Sequence, residues 1–322
     1  MTFRKALLAL CLIVLLAPWP GWAAPLDAIV AVRAEIPGDA RTAGVLGVER
    51  RGSGVIIDDD GLVVTIGYLI LEADQVEIEL SDKRVLPAEV LAYDYDTGFG
   101  LLRPQVNPGI APLALGDSTG LADQTQVLVV SADKAEPAMP AYVVSRRDFA
   151  GYWEYLLPDA IFTAPPYRNY GGAGLIGRGG ELLGIGSLFV GDAIADSTLP
   201  GNMFVPIEAL KPILAELVDH GRAQGPVRPW LGIYGAEERS RVFVNRVAPE
   251  GPAAAAGLLV DDLIVAVEDQ PVGTLDDFYR AVWSLGEAGV TVPLTLLRGA
   301  DLVTVEIRSG DRYDYLKLHP SH

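Results

Sequence analysis

Gly52-Ser53-Gly54-Val55-Ile56-Ile57-Asp58-Asp59-Asp60-Gly61-Leu62-Val63-Val64-Thr65 decides the fold. Two short apolar runs, Gly54 to Ile57 and Leu62 to Thr65, flank Asp58-Asp59-Asp60-Gly61, residues that tolerate the left-handed backbone of a tight turn. The segment reads as a β-hairpin, and the chain on either side keeps the same character. Val76-Glu77-Ile78-Glu79-Leu80 alternates apolar and acidic residues with period two, the mark of a half-buried strand. Short apolar runs follow at 85–92, 99–102, 126–130, 141–144, 161–164, 182–185 and 201–205, separated by Gly, Pro and Asp. Many short strands at this spacing predict a mainly β sandwich or barrel. The first helical pattern comes late, from about Glu208 to His220, with Leu210, Ile213, Leu214 and Leu217 on one face.

His220-Gly221-Arg222-Ala223-Gln224-Gly225-Pro226 has no apolar period and reads as part of a linker over 220–227. A second unit begins at Arg228 and extends to about residue 309. It mixes strands at 242–247, 263–268, 292–297 and 302–307 with two helices. The first helix is short, around Pro252 to Ala256, and stops at Gly257. The second runs from Thr274, a good N-cap, to Leu285, with Gly286 just beyond. Residues 310–322 form a tail.

The N-terminus assigns a compartment. Arg4 and Lys5 precede the apolar run Ala6 to Ala17, Pro18 and Pro20 break it, and Gly21-Trp22-Ala23 places small residues at −3 and −1 of a cut after Ala23. That is the plan of a secretory signal peptide, and the apolar run is shorter than the roughly 18 residues of a membrane-spanning helix. The expectation is an exported protein, periplasmic or secreted, with no stable membrane anchor. Cys11 is the only cysteine and lies within the signal, so residues 24–322 hold no disulfide, thiolate metal site or cysteine nucleophile. The net charge of −17 becomes more negative when Arg4 and Lys5 leave, which opposes nucleic acid and anionic membrane surfaces. Three scattered histidines and no thiol predict no metal and no cofactor; Asp58, Asp59 and Asp60 read as a solvated turn.

These motifs carry a resemblance. Gly52-Ser53-Gly54-Val55-Ile56-Ile57, Asp94-Tyr95-Asp96-Thr97 before Leu101-Leu102, and Phe204-Val205-Pro206-Ile207 resemble the HtrA family of trypsin-like serine proteases. Trp230-Leu231-Gly232-Ile233 and Ala256-Gly257-Leu258 resemble the PDZ domain that follows the protease in that family. The match spans about residues 45 to 309. It implies a trypsin-like double β-barrel, six strands in each, over residues 24–219, followed by a PDZ-type α+β domain over 228–309.

The family cleaves with a Ser-His-Asp triad, and none of its members stands in the expected place. Thr65-Ile66-Gly67 leads to Tyr68 where the histidine belongs, and Asp94-Tyr95-Asp96-Thr97 leads to Gly98 where the aspartate belongs. In Asn169-Tyr170-Gly171-Gly172-Ala173-Gly174, aligning the glycines puts Tyr170 at the serine position, whereas counting back from Gly180 and Glu181 puts Gly171 there. One observation needs no alignment: the histidines are His220, His319 and His322, so residues 1–219 contain none. A serine hydroxyl is a weak nucleophile until a neighbouring base takes its proton. Lys83, Lys134 and Lys211 are the lysines of the barrel region after the signal, and Lys83 reads as a solvated turn residue. The sequence therefore predicts a protein that is not an enzyme, a pseudoprotease.

The PDZ-like half keeps what its chemistry requires. Such a domain takes an extended C-terminal peptide as an added strand, and backbone N–H groups of a glycine-containing loop hold the terminal carboxylate. Trp230, Leu231, Gly232 and Ile233 supply that loop, Arg228 adds a charge near it, and Phe278 and Val282 of the second helix form the apolar wall. Asp261 and Asp269, at turns where the family usually has glycine, are residues that accept left-handed backbone. The expected function is capture of polypeptide C-termini or extended segments, in an adaptor, chaperone-like or regulatory role. The alternatives are a serine-type endopeptidase with non-standard catalytic residues, and a modulatory subunit of an active HtrA-family protease. A homo-oligomer and a hetero-oligomer with such a protease are the assemblies this reading allows.

Overall fold

A computed structural model of the chain describes residues 25–318. The signal-peptide reading therefore lies outside the described residues. Six strands close the first barrel: β1 (Ile29–Glu35), β2 (Glu49–Ile56), β3 (Val63–Ile66), β4 (Gln75–Glu79), β5 (Val85–Tyr93) and β6 (Phe99–Pro104). The hairpin of the opening motif is β2–β3. Asp58 closes its turn by accepting from the N–H of Leu62 at 2.6 Å and, through its carbonyl, from that of Gly61 at 3.1 Å. Six more close the second barrel: β7 (Gln126–Val130), β8 (Ala138–Gly151), β9 (Tyr155–Ala164), β10 (Gly174–Ile176), β11 (Leu182–Val190) and β12 (Gly201–Pro206). Both barrels have the same order, first–second–third–sixth–fifth–fourth in the first and its cyclic equivalent in the second, which is the double barrel that the resemblance implies. One buried cluster, with Val30, Ile66 and Phe99 from the first barrel and Leu128, Phe162 and Ile185 from the second, joins the two. Burial of that kind, worth about 25 cal/mol per Å² of apolar surface, replaces the disulfides that the chain lacks.

The third unit is a sheet in the order β13–β14–β15–β17–β18, from β13 (Ile233–Glu237), β14 (Val242–Val247), β15 (Leu263–Val267), β17 (Thr291–Arg298) and β18 (Asp301–Arg308), with β16 (Gln270–Pro271) paired to β15. Among the described residues five α-helices accompany the sheets: α1 (Ala43–Leu46), α2 (Leu214–His220), α3 (Pro252–Ala255), α4 (Leu275–Ser284) and α5 (Arg312–Tyr315). Helix α4 begins as expected. Thr274 accepts from the N–H of Asp277 at 3.1 Å while the Asp277 carboxylate accepts from the N–H of Thr274 at 3.2 Å, a reciprocal cap. Its Phe278 and Val282 are buried in the core of this unit.

Three expectations need correction. The helix over 208–220 is a single 3-10 turn, Ile207–Ala209, followed by the shorter α2. Pro212 disfavours helical backbone at Lys211, so the pattern breaks there. The strands expected at 141–144 and 161–164 are pieces of the long hairpin β8–β9, paired from Tyr142–Ala164 to Gly151–Tyr155. Arg146, Arg147 and Asp148 interrupt the apolar alternation that would have revealed its length; Arg146 donates to Asp159 of the partner strand at 2.8 Å. Finally, Asp261 is left-handed (φ 70°), but in the later turn Glu268, not Asp269, takes that conformation (φ 50°). Among the described residues no helix is long and apolar enough to cross a membrane.

Candidate functional site

The cleft between the barrels brings Tyr68, Gly98, Tyr170 and Gly171 together. Tyr68 sits on a 3-10 turn, Gly67–Leu69, directly after β3. Buried Arg50 fixes that turn by donating to the carbonyls of Tyr68 at 2.7 Å and Leu71 at 2.9 Å. Burial lowers the Arg50 pKa to about 10, with the carboxylate of Glu72 opposing the change. The Tyr68 hydroxyl crosses the cleft and donates to the carbonyl of Ser187 at 3.0 Å, and burial pushes its pKa well above that of a free phenol. A phenol that resists ionisation is a poor base at neutral pH.

Gly98 has φ +85° and accepts from the N–H of Gly67 at 2.7 Å. A Cβ there would stand 3.3 Å from the hydroxyl of Tyr155, which donates to the carbonyl of Thr97 at 2.7 Å. The phenol of Tyr155 thus occupies the side to which a carboxylate at position 98 would point. Asp94 is engaged within its own turn, accepting from the N–H of Thr97 at 2.9 Å and from its hydroxyl at 2.5 Å. On the second barrel, the Gly171 carbonyl accepts from the N–H of Ser53 at 2.9 Å, so the loop is tied to β2. A Cβ on Gly171 would point at the Tyr68 hydroxyl, 2.9 Å away. Gly172 (φ +74°) packs so closely that its Cβ would lie 1.9 Å from the carbonyl oxygen of Ser53. A cavity of about 260 Å³ opens beside these residues, walled by Tyr68, Tyr93, Tyr152, Trp153, Tyr170 and Tyr234. Among the described residues no group of three or more His, Cys, Asp or Glu side chains is placed to hold a metal.

In the third unit, Trp230, Leu231, Gly232 and Ile233 form a turn before β13. Gly232 is left-handed (φ +80°), and a Cβ on it would meet Ala248 Cβ at 3.1 Å and the Trp230 ring at 3.3 Å. This conformation turns the N–H groups of Leu231 and Ile233 to one point. The point is occupied: the Glu154 carboxylate accepts from Leu231 at 2.9 Å and from Ile233 at 2.7 Å. Phe278 and Val282 lie in the same buried cluster as Leu156, two residues beyond Glu154. Arg228 is placed differently from expectation. Its guanidinium pairs with Asp96 at 3.2 Å and lies 4.4 Å above the Trp283 ring, so a carboxylate of the first barrel holds its charge. That pairing counters the burial that lifts the pKa of Asp96 to about 6. Trp230 exchanges backbone hydrogen bonds with Gly310 at 3.0 and 2.9 Å and packs against Tyr315.

Sequence reasoning missed Glu154, Tyr279, Arg50 and Ser187. Only Glu154 left a trace, as a lone acid in the aromatic run Tyr152-Trp153-Glu154-Tyr155.

Residues 52–185 match the trypsin-like peptidase domain family and residues 229–308 match the PDZ domain family. The serine endoprotease DegS of Escherichia coli (strain K12) is 27% identical over 290 residues, covering 81% of this chain and 77% of the relative. The periplasmic serine endoprotease DegP of Salmonella typhimurium is 27% identical over 276 residues, covering 80% of this chain and 56% of that longer protein. Among solved structures, the serine endoprotease from Yersinia pestis aligns with a TM-score of 0.53 at 22% identity, over 89% of this chain and 95% of its own. The HtrA-type protease AlgW with decapeptide gives 0.53 at 20% identity, over 93% and 98%. These relatives overturn one expectation. Relatives over four fifths of the chain are serine endoproteases and residues 52–185 match a peptidase domain; these findings favour a protease, and the reading as not an enzyme does not hold. With the double barrel, the glycine loop and these relatives in place, the chain is an HtrA-like protein, a trypsin-like peptidase domain joined to a PDZ domain.

Proposed function

We propose that this chain is an exported, periplasmic protein of the serine-endoprotease class that takes polypeptides by their C-termini and lays extended chain along the cleft between its barrels. The observation that carries the proposal is the carboxylate already seated between the N–H groups of Leu231 and Ile233. A loop that holds one carboxylate by its backbone is built for another, and β13 beside it offers a strand edge to an incoming peptide. The relatives named periplasmic endoproteases support the compartment and the class.

The catalytic chemistry of this chain departs from a Ser-His-Asp set. The direction of a Cβ at Gly171 supports that residue, rather than Tyr170, as the one facing Tyr68 at the nucleophile position. Peptide-bond hydrolysis then has two routes: side chains elsewhere in the cleft, or an HtrA-family protease with which this chain assembles as a modulatory subunit. The test is cleavage of an unfolded protein by the purified mature chain, alone and mixed with an active HtrA-family protease. Cleavage by the chain alone that survives repurification and is lost on changing Tyr170 or its neighbours assigns the chemistry to this cleft. A changed rate in the mixture, with co-elution on size exclusion, assigns the modulatory role. No cleavage alone and no effect in the mixture overturns the proteolytic reading.

A further inference from the structure

The hairpin β8–β9 is longer than its barrel needs, and its tip docks against the third unit with Glu154 buried there. Glu154, at that tip, is left-handed (φ 55°) and only 7% exposed. Its carboxylate takes both donors of the glycine loop, as described above. The tip also pairs as a strand would: the N–H of Gly235 in β13 donates to the Tyr152 carbonyl at 2.8 Å. From the opposite wall, Tyr279 of α4 donates to the Gly151 carbonyl at 2.7 Å and accepts from the Glu154 N–H at 3.2 Å. Leu156 then enters the apolar cluster that contains Phe278 and Val282. A salt bridge of 2.6 Å between Asp148 and Arg280 clamps the hairpin to the outer face of α4. Carboxylate, added backbone pairing and apolar anchor are the three elements of peptide capture in such a groove, and here one segment of the same chain supplies all three.

We propose that the Gly151–Leu156 segment is an internal ligand of the PDZ groove, Glu154 standing in for a C-terminal carboxylate, and that a polypeptide C-terminus binds only by displacing it. The inference rests on reading the groove as a receptor for C-termini. A left-handed glutamate buried without an ion pair is costly to hold there, so the docked hairpin is poised for release. Because β8 and β9 are also barrel strands, release of the tip reaches the second barrel directly. Tyr155, the next residue, is the one whose hydroxyl binds the Thr97 carbonyl beside Gly98.

The test measures binding of fluorescein-labelled decapeptides, random except for a last Leu, Val or Phe, to the full mature chain and to two variants. Glu154→Ala removes the internal carboxylate. Tyr279→Phe removes both of its hydrogen bonds to the tip and keeps the ring. The expected result is affinity at least about tenfold higher for Glu154→Ala and about threefold higher for Tyr279→Phe, with C-terminally amidated peptides bound by none of the three. Equal affinity of all three proteins for the free-acid peptides overturns the internal-ligand proposal and leaves the receptor reading standing. Absence of free-acid binding to all three, each showing the circular dichroism of the folded chain, overturns the receptor reading itself.

Discussion

The cleft and the groove use different parts of the chain to build a site. The cleft depends on side chains: at positions 68, 98 and 171 the residues are Tyr, Gly and Gly, yet the barrels around them close with every strand in place. The groove depends on backbone: its donors are the N–H groups of Leu231 and Ile233, aimed by the left-handed Gly232. Side-chain sites change by substitution while the fold persists, because a few polar residues in a cleft contribute little to a core. Backbone sites persist as long as the local conformation does. The comparison also shows where packing constrains each. At the cleft, Gly172 is pressed against the Ser53 carbonyl; at the groove, Gly232 faces only the Ala248 methyl and an indole edge.

The largest expected effect comes from that difference. Gly172→Ala puts a Cβ 1.9 Å from a carbonyl oxygen in a left-handed residue, and both barrels must shift to admit it. We expect a loss of about 3–5 kcal/mol in urea unfolding. Gly232→Ala, where the nearest atom is a methyl at 3.1 Å, costs about 1–3 kcal/mol but abolishes capture of free-acid peptides. Equal destabilisation by the two variants would break the contrast between the tightly packed Gly172 and the more loosely packed Gly232.

A smaller effect follows from Glu154. Burial raises its pKa to about 7, an increase that the donors Leu231 and Ile233 and the charge of Arg312 only partly offset. Arg312 of α5 and Tyr279 of α4 are the ionisable groups that bear on it from the neighbouring elements. An acid whose pKa is raised by docking favours the docked state fully when the released group is also protonated, below about pH 4.5, and loses that contribution as pH rises through about 7. A peptide α-carboxylate, with its pKa near 3.5, stays ionised across this window. Peptide affinity is therefore expected to rise on the order of 10- to 100-fold between about pH 5 and pH 8, following the tenfold per pK unit of linkage. In Glu154→Gln the profile is flat. A profile of unchanged slope in that variant would place the titration elsewhere, with Asp96, raised to about 6 by burial, as the group to test next.

Much of this was legible in the sequence, and the part that was not has a physical cause. The β2–β3 hairpin, the Thr274 cap of α4 and the left-handed Gly232 turn are local signals, each within a few consecutive residues. The internal ligand joins residues 154 and 231, far apart in the chain, and neither alone predicts the other. The strands that carry Glu154 were hidden because Arg146, Arg147, Asp148 and Asp159 place charge where alternation is expected, and the cross-strand pair of Arg146 with Asp159 compensates it only in the folded hairpin. Arg228 shows the same limit in the other direction. Its position two residues before Trp230 suggested a role at the loop, but Asp96, on the far side of the linker, takes its charge. Local chemistry thus marks the glycine turn, and long-range pairing determines what its N–H groups hold.

The smallest expected effect separates the wall of the groove from its loop. Thr274 and Asp277 satisfy each other's backbone donors at the start of α4, and Leu275, directly after the cap, donates from its N–H to Glu237 of β13 at 3.0 Å. Thr274→Ala removes one side-chain acceptor and leaves the helix, its buried Phe278 and Val282, and the Glu237 bond intact. The expected cost is about 1 kcal/mol, seen as a lower midpoint for the third unit with the barrel transition unmoved. Because Tyr279 lies on the same helix and grips the hairpin tip, a frayed first turn should also loosen the internal ligand and raise peptide affinity by about twofold or less. Affinity that falls instead would mean that α4 contributes more to holding an incoming peptide than to holding the hairpin, and would reverse the order of strength assigned to the two ligands of this groove.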